Sequence, residues 1–274
     1  MLVDTHCHLD AREFDGDRDE VIAGARQAGI GIMVVPSVDR ASFDAVAALC
    51  HDYPSCAPAY GIHPMYVEHA REEDLASLGE MLAAHHDACV AVGEIGLDHF
   101  VPERDEKRQE FFFVEQLKLA REFDLPVILH VRRAVDAVLK QLRRYRVRGG
   151  IAHAFNGSAQ QADEFIKLGF RLGIGGAMTY PRALRIRETA VSLPLEAIVL
   201  ETDAPDIPPE WLAKRRNQPG ELPRIAAELA RLRKLPLADL ARITTASAIE
   251  VLPGLKALER HMSQPIEHAR DISH

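Results

Sequence analysis

Eight short apolar runs punctuate this chain, and a longer stretch of helical period follows nearly every one of them. The runs are Leu2–His8, Gly31–Ser37, Ala57–Gly61, Ala91–Gly96, Pro126–Val131, Gly150–Ala154, Arg171–Gly175 and Ala197–Glu201. Most lack polar alternation, as expected of parallel strands covered on both faces. Arg104–Phe123 is the clearest helical stretch: Phe113, Leu117 and Ala120 recur at helical spacing, and Pro126 follows its end. Asp19–Ala28, Ser42–His51, Asp74–His86, Ala134–Tyr145, Ala159–Leu168 and Arg182–Ser192 fill the other gaps, and Leu222–Arg233 and Leu237–Leu252 follow the last strand. Strand and helix alternating eight times is the count of an α/β (β/α)8 TIM barrel, here with additional C-terminal helices. A doubly wound open sheet is the competitor. The barrel is preferred because polar residues stand at strand ends spread over the whole chain, and only closure brings those ends together.

The length of 274 residues, 47% of them hydrophobic, suits one barrel-sized domain. Residues 1–261 are expected to form a single barrel domain, and the polar stretch 262–274 a poorly ordered tail. No apolar run approaches the ~20 residues of a membrane span. The N-terminus enters a strand at once, without a basic region and cleavage site, so a cytoplasmic protein that avoids membranes is expected. Cys7, Cys50, Cys56 and Cys89 form no CxxC pair, which points to free buried thiols. Oligomeric state is not written in the sequence; a monomer is the default. The net charge of −8 disfavours a protein that coats long polyanions. It does not disfavour an enzyme that grips one phosphate through bound cations.

The strand ends carry the chemistry. His6 and His8 close the first run one residue apart, so in an extended strand they share a face, with Asp4 behind them. Glu94 ends the fourth run, His130 the fifth and His153 the sixth, while Asp203 follows the eighth. In a barrel all six converge on the C-terminal mouth, where the fold places active sites. A lone histidine ending a strand is ordinarily a hydrogen-bonded core residue, Glu94 alone would be a carboxylate paired with an arginine, and Asp203 alone a turn residue. Six at six strand ends are not explained that way. Six N/O ligands are too many for one tetrahedral ion with an open position. They suit two divalent ions, with His6, His8 and Asp203 on one, His130 and His153 on the other, and Glu94 shared. Imidazole favours zinc, and the carboxylates also admit manganese or magnesium.

Further candidates surround this set. His63 follows the third run and is placed to contact a phosphate or donate a proton; the plainer role is a turn residue held by Pro64. Glu201, two residues before Asp203, either orients the attacking water or supports the ligands from behind. Arg132 and Arg133 offer guanidinium forks to a phosphate, or simply form solvated ion pairs. His99 and Asp98 are expected just outside the ligand shell. Lys214, Arg215 and Arg216 form a basic cluster that is ordinarily solvated surface. Gly173-Ile174-Gly175-Gly176 is weak evidence of backbone approaching a ligand.

The motifs Asp4-Thr5-His6-Cys7-His8-Leu9-Asp10, Gly61-Ile62-His63-Pro64, Gly93-Glu94-Ile95-Gly96-Leu97-Asp98, Pro126-Val127-Ile128-Leu129-His130 and Glu201-Thr202-Asp203-Ala204-Pro205 resemble the successive motifs of the TatD-type metal-dependent deoxyribonucleases. They occur in family order, and Gly173–Ala183 is similar to the YjjV-like branch. The resemblance implies a barrel of the amidohydrolase superfamily and the same six metal ligands. It also implies cleavage of DNA phosphodiesters, in some members from the 3′ end of single strands. The sequence departs from the family pattern at Ala154 and Asn156, at Arg133 and at His99, none of them an expected ligand. In the mechanism so implied, water held by the ion pair attacks phosphorus and Asp203 accepts its proton, while His63 and Arg132 position the substrate. The alternatives are a small-molecule amidohydrolase, esterase or phosphoesterase using the same dinuclear site, and a metal-stabilised binding scaffold without catalysis.

Overall fold

The computed structural model describes residues 1–263. Eight parallel strands form one sheet in strict chain order: β1 (Leu2–Asp4), β2 (Ile30–Pro36), β3 (Cys56–Tyr60), β4 (Ala91–Asp98), β5 (Val127–Arg132), β6 (Gly150–Ala152), β7 (Phe170–Ile174) and β8 (Ile198–Leu200). Seven helices alternate with them: α1 (Arg18–Gln27), α2 (Phe43–Asp52), α3 (Glu73–Ala84), α4 (Glu106–Glu122), α5 (Val135–Arg144), α6 (Ala159–Lys167) and α7 (Leu184–Ser192). After β8 come α8 (Leu222–Arg233), α9 (Leu237–Val251) and α10 (Leu255–Ser263). The architecture is a TIM barrel with C-terminal helices. The expected tail begins at Met262, inside the last turn of α10, and its remainder lies outside the described residues.

The sheet closes between β8 and β1 without a regular ladder. The Thr5 N–H donates to the Leu200 carbonyl (3.0 Å), Asp203 N–H to the His6 carbonyl (2.8 Å) and His8 N–H to the Ala204 carbonyl (2.7 Å). This is where the structure departs from the expected first strand. β1 stops at Asp4 rather than His8, because residues 5–8 bond to both neighbours in turn: Cys7 N–H reaches across to the Val34 carbonyl of β2 (3.0 Å). Buried Asp4 secures the seam, accepting from the Thr202 hydroxyl (2.6 Å) and the Thr202 N–H (3.0 Å). The closure that completes the barrel therefore also sets the spacing of His6, His8 and Asp203.

Side-chain parity separates two apolar layers. Leu2, Met33, Val35, Val127, Leu129, Leu172 and Leu200 point outward into the helical shell. Val3, Ile32, Val34, Ala57, Ala59, Ile128, Ile151 and Val199 form a second cluster with Ala248 of α9, Leu255 of α10 and Leu252 between them. Ile128 lies two residues before His130, Ile151 two before His153, and Val199 two before Glu201. The inward rows are thus apolar at the bottom, plugged by α9 and α10, and polar at the C-terminal end. No helix among the described residues is long and apolar enough to cross a membrane, and all four cysteines are free.

Candidate metal centre

Glu94 is the hub of the barrel mouth, 2% exposed. The β4 register shifts between Val92 and Ile95, and this irregularity turns the Glu94 side chain inward. Gly93 permits it: a Cβ there would press on Ile128 of β5. The two carboxylate oxygens face different partners. Oε2 lies 3.1 Å from His6 Nε2 and 3.5 Å from His8 Nε2. Oε1 lies 2.9 Å from His130 Nδ1, 3.0 Å from His153 Nε2 and 3.3 Å from His63 Nε2. Asp203 Oδ1 stands on the first side, 3.4 Å from His6 and 3.8 Å from His8. Its backbone is left-handed (φ 59°), a conformation that costs energy for a non-glycine residue and often marks a site.

All six expected ligands meet here. Donor atoms of His6, His8 and Asp203, of His6, Glu94 and His153, and of His63, Glu94 and His130 each lie within 4.8 Å of one another. The ring nitrogens of His6 and His8 approach to 3.1 Å. Facing lone pairs at that distance repel unless a proton or cation lies between them, so the donor chemistry fits divalent cations.

The far side of each ring decides what its near side can do. His8 Nδ1 sits 3.2 Å from the Pro36 carbonyl, which fixes the hydrogen on Nδ1 and frees the Nε2 lone pair. His130 Nε2 faces Asp98 Oδ2 at 3.0 Å, the carboxylate backing usual for ligating histidines, whereas His153 Nδ1 lies 3.8 Å from Glu201 Oε1, beyond hydrogen-bond distance. His63 is the reverse. Its Nδ1 accepts the Met65 N–H (3.1 Å), so in the neutral ring Nε2 carries the hydrogen and donates. Burial lowers the His63 pKa to about 4, with Glu94 opposing, so the ring is neutral near pH 7. His63 is therefore built as a hydrogen-bond donor beside the cluster rather than as a ligand.

Without ions the cluster stores protons. Burial alone would lower the pKa values of His8 and His153, but Glu94 and Asp203 outweigh it and raise them to about 9 and about 10. His130 moves upward as well, against burial, through Asp98 and Glu94. Burial takes His6 down to about 3, and the charge on His153 adds to the effect. Burial pushes Glu94 upward, but His63, His153 and His6 together hold it well below the usual carboxylate range. Burial raises Asp203 to about 6 and Glu201 to about 8.

Glu201 accepts the Ala154 N–H (2.5 Å) and does not line the cavity above the cluster. Its carboxylate fills the space a side chain at Gly173 would need. That explains the Gly173-Ile174-Gly175-Gly176 run: Gly173 and Gly175 make room for Glu201, and none of the four lines the cavity. Lys214, Arg215 and Arg216 also stay away from it. Arg216 pairs with Asp17 (2.6 Å) and covers Phe14, while Arg215 bonds the Leu212 carbonyl. Arg132 and Arg133 do line the cavity, stacked on the Phe100 ring at 3.8 and 4.6 Å, and His99 lies beside them.

Two supports had no sequence signal strong enough to single them out. Gln116 of α4 bonds both the N–H (2.7 Å) and the carbonyl (3.0 Å) of Ile62, and Gln109 accepts the Asp98 N–H (3.0 Å). Seven residues apart on the buried face of α4, they pin the loop that carries His63 and the strand end that carries Asp98. Asn217, fully buried, holds the carbonyls of Thr202 (2.8 Å) and Asp206 (2.9 Å) on either side of Asp203.

Comparison with known proteins finds relatives along nearly the whole chain. The metal-dependent hydrolase YjjV of Escherichia coli is 42% identical over 242 residues, covering 88% of this chain and 93% of its own. YabD of Bacillus subtilis, also described as a metal-dependent hydrolase, is 35% identical and covers 90% of this chain and 97% of its own. The crystal structure of Escherichia coli YjjV, a TatD homolog, superposes with a TM-score of 0.89 over 92% of this chain and 98% of that one, at 40% identity. The profile of the TatD related DNase family spans residues 3–253. The chain belongs to the TatD related DNase family.

Proposed function

We propose that the chain is a metal-dependent hydrolase that cleaves phosphodiester bonds of DNA. The observation that carries this reading is the division of Glu94, with one oxygen toward His6 and His8 and the other toward His130 and His153. His6, His8 and Asp203 would hold one ion, His130 and His153 the other, and Glu94 both. Zinc suits the imidazoles, and manganese or magnesium the carboxylates. Such a pair supplies a nucleophilic water at neutral pH and offsets charge on the phosphoryl oxygens. Asp203 would accept the proton of the attacking water and return it to the sugar oxygen that leaves as its P–O bond breaks. The His63 Nε2–H donates to a phosphate oxygen, and Arg132, anchored on Phe100, offers its fork to the same group. Glu201 stays behind His153, bonded to the Ala154 N–H and outside the cavity. The cavity measures about 1650 Å³, well above the roughly 300–1,000 Å³ of small-molecule sites, which favours a polymer over a small ester or amide.

Labelled oligonucleotides test the reading. Metal-loaded protein should release labelled products from 3′- or 5′-labelled single strands, and Asp203→Ala should release none. Turnover of small esters with untouched DNA would overturn it.

Two further outcomes are expected. His8 and His153 bind protons tightly in the ion-free protein. Ion loading at pH 7 should therefore release about one proton per ion, and affinity should fall about tenfold for each pH unit toward 6. Calorimetry in buffers of different ionisation enthalpy measures this directly. His63→Ala should lower kcat by about 10²–10³-fold, the scale of one lost donor to a developing charge. Its metal content should stay unchanged, and His63→Gln, which keeps a donor, should recover part of the rate. Loss of an ion in His63→Ala would make the residue a ligand.

A further inference from the structure

Charge is divided around the barrel mouth. In strand order β8, β1 and β2 are neighbours, and the loops after them place Asp206, Asp10, Glu13 and Asp39 against the cavity, with Arg12 as the one cation. The facing arc, β5 to β7, places Arg132, Arg133 and Arg185 there, with Asp136 as the one acid. Asp136 is engaged by Gln161 (2.9 Å). A polyanion crossing this mouth is attracted on one arc and repelled on the other.

Arg185, near the start of α7, is the member without a role so far. Its Nε and Nη2 both donate to Asn156 Oδ1, at 3.1 and 2.7 Å, from the loop after β6. Surface arginines held this firmly usually meet a carboxylate. Here the acceptor is a neutral amide, and among the described residues Arg185 makes no ion pair. Asn156 thus fixes the guanidinium without cancelling its charge, and the remaining N–H groups are left for a ligand. Arg133 is prepared in a comparable way, while Arg132, stacked on the same ring, also lies 3.9 Å from Asp98 Oδ2. Adjacent residues of a strand point to opposite faces, yet both guanidiniums lie on the Phe100 ring, and Arg133 takes a left-handed backbone (φ 55°).

We propose that Arg185, aimed by Asn156, anchors a second anion subsite on the β5–β7 arc, which takes the phosphate next to the one hydrolysed. The inference rests on the phosphodiester reading above. It makes Arg185 a specificity residue and Asn156 a positioning residue: a substrate with two phosphates is preferred to one with a single phosphodiester.

The test compares a dinucleoside monophosphate with a trinucleotide carrying two phosphates, on metal-loaded wild type, Arg185→Ala and Asn156→Asp. Arg185→Ala should lose about tenfold or more in kcat/KM on the trinucleotide, mainly through KM, and little on the dinucleotide. Asn156→Asp keeps the acceptor in place but neutralises the guanidinium, so it should lose the same preference. Equal losses on both substrates, an unchanged trinucleotide rate, or Asn156→Asp behaving as wild type would each overturn the subsite. A second readout needs no turnover. Anisotropy of a labelled trinucleotide with ion-free protein should give a slope of log K against log salt that is shallower by about 0.7 in either variant, one phosphate contact on a single strand. An unchanged slope overturns the subsite even if wild type cleaves neither substrate, a result that would separately defeat the phosphodiester reading.

Discussion

Glu94→Gln should abolish turnover, by about 10³-fold or more, and strip the protein of at least one ion. The substitution keeps the shape of the side chain but replaces one oxygen with an NH2 group. That group is a donor where an acceptor is required, on whichever side it falls. A carboxylate that serves five ring nitrogens at 2.9–3.5 Å from two oxygens cannot be matched by an amide on both faces at once. The rate loss is at least that of removing a principal electrostatic contact to the reacting group. Metal analysis after gel filtration and single-turnover cleavage measure both effects. Two retained ions, or a rate within tenfold of wild type, would remove Glu94 from its central place.

The ion-free protein should lose thermal stability as pH rises from 6 to 9, and ion loading should flatten the curve. Asp203 (about 6), Asp4 (about 7), Glu201 (about 8), His8 (about 9) and His153 (about 10) all hold protons more tightly than their ordinary values. For the three carboxylates burial is the main cause, while for the two imidazoles the neighbouring carboxylates prevail over burial. Each group stabilises the fold fully below its unfolded pKa and ceases to do so as pH climbs through its folded one. His6 and His63, lowered to about 3 and about 4 chiefly by burial, work the other way. Their contribution is complete above the ordinary histidine range and is lost only as pH falls through those values. Above pH 6 the first set governs. Each tenfold change in proton affinity is worth about 1.4 kcal/mol, and the groups share protons, so the net effect is several kcal/mol rather than a sum. For a chain of this size that is on the order of 10 °C in Tm. Calorimetric scans in chelator and in saturating zinc should diverge progressively above pH 6. Parallel curves would mean that the cluster does not exchange protons for ions.

The barrel was legible because its strands are apolar on both faces, so the eight runs stand out without alternation. The convergence of the six donors was legible because five belong to the ends of such runs and Asp203 follows the eighth, and closure of the sheet does the rest. What escaped depends on contacts between distant segments. The β1 strand stops short because residues 5–8 divide their bonds between β2 and the chain after β8, and no local pattern announces that. The glycines of β7 look like a ligand loop until the Glu201 carboxylate is found against them. The donor role of His63 follows from one backbone N–H, that of Met65, on its other ring nitrogen. Gln109 and Gln116 are two polar residues in a long amphipathic helix until their partners, Asp98 and Ile62, are known. The basic cluster Lys214–Arg216 is surface, and in Arg216 it is the pairing with Asp17 that settles the matter.

Counting ions in half-site variants tests the account most directly. Elemental analysis of purified, zinc-loaded protein should give two ions per chain for wild type. His6→Ala/His8→Ala and His130→Ala/His153→Ala should each retain one, with circular dichroism unchanged and DNA cleavage lost in both. A single ion in wild type, or a double variant that still holds two, would contradict the division of Glu94 between two metals.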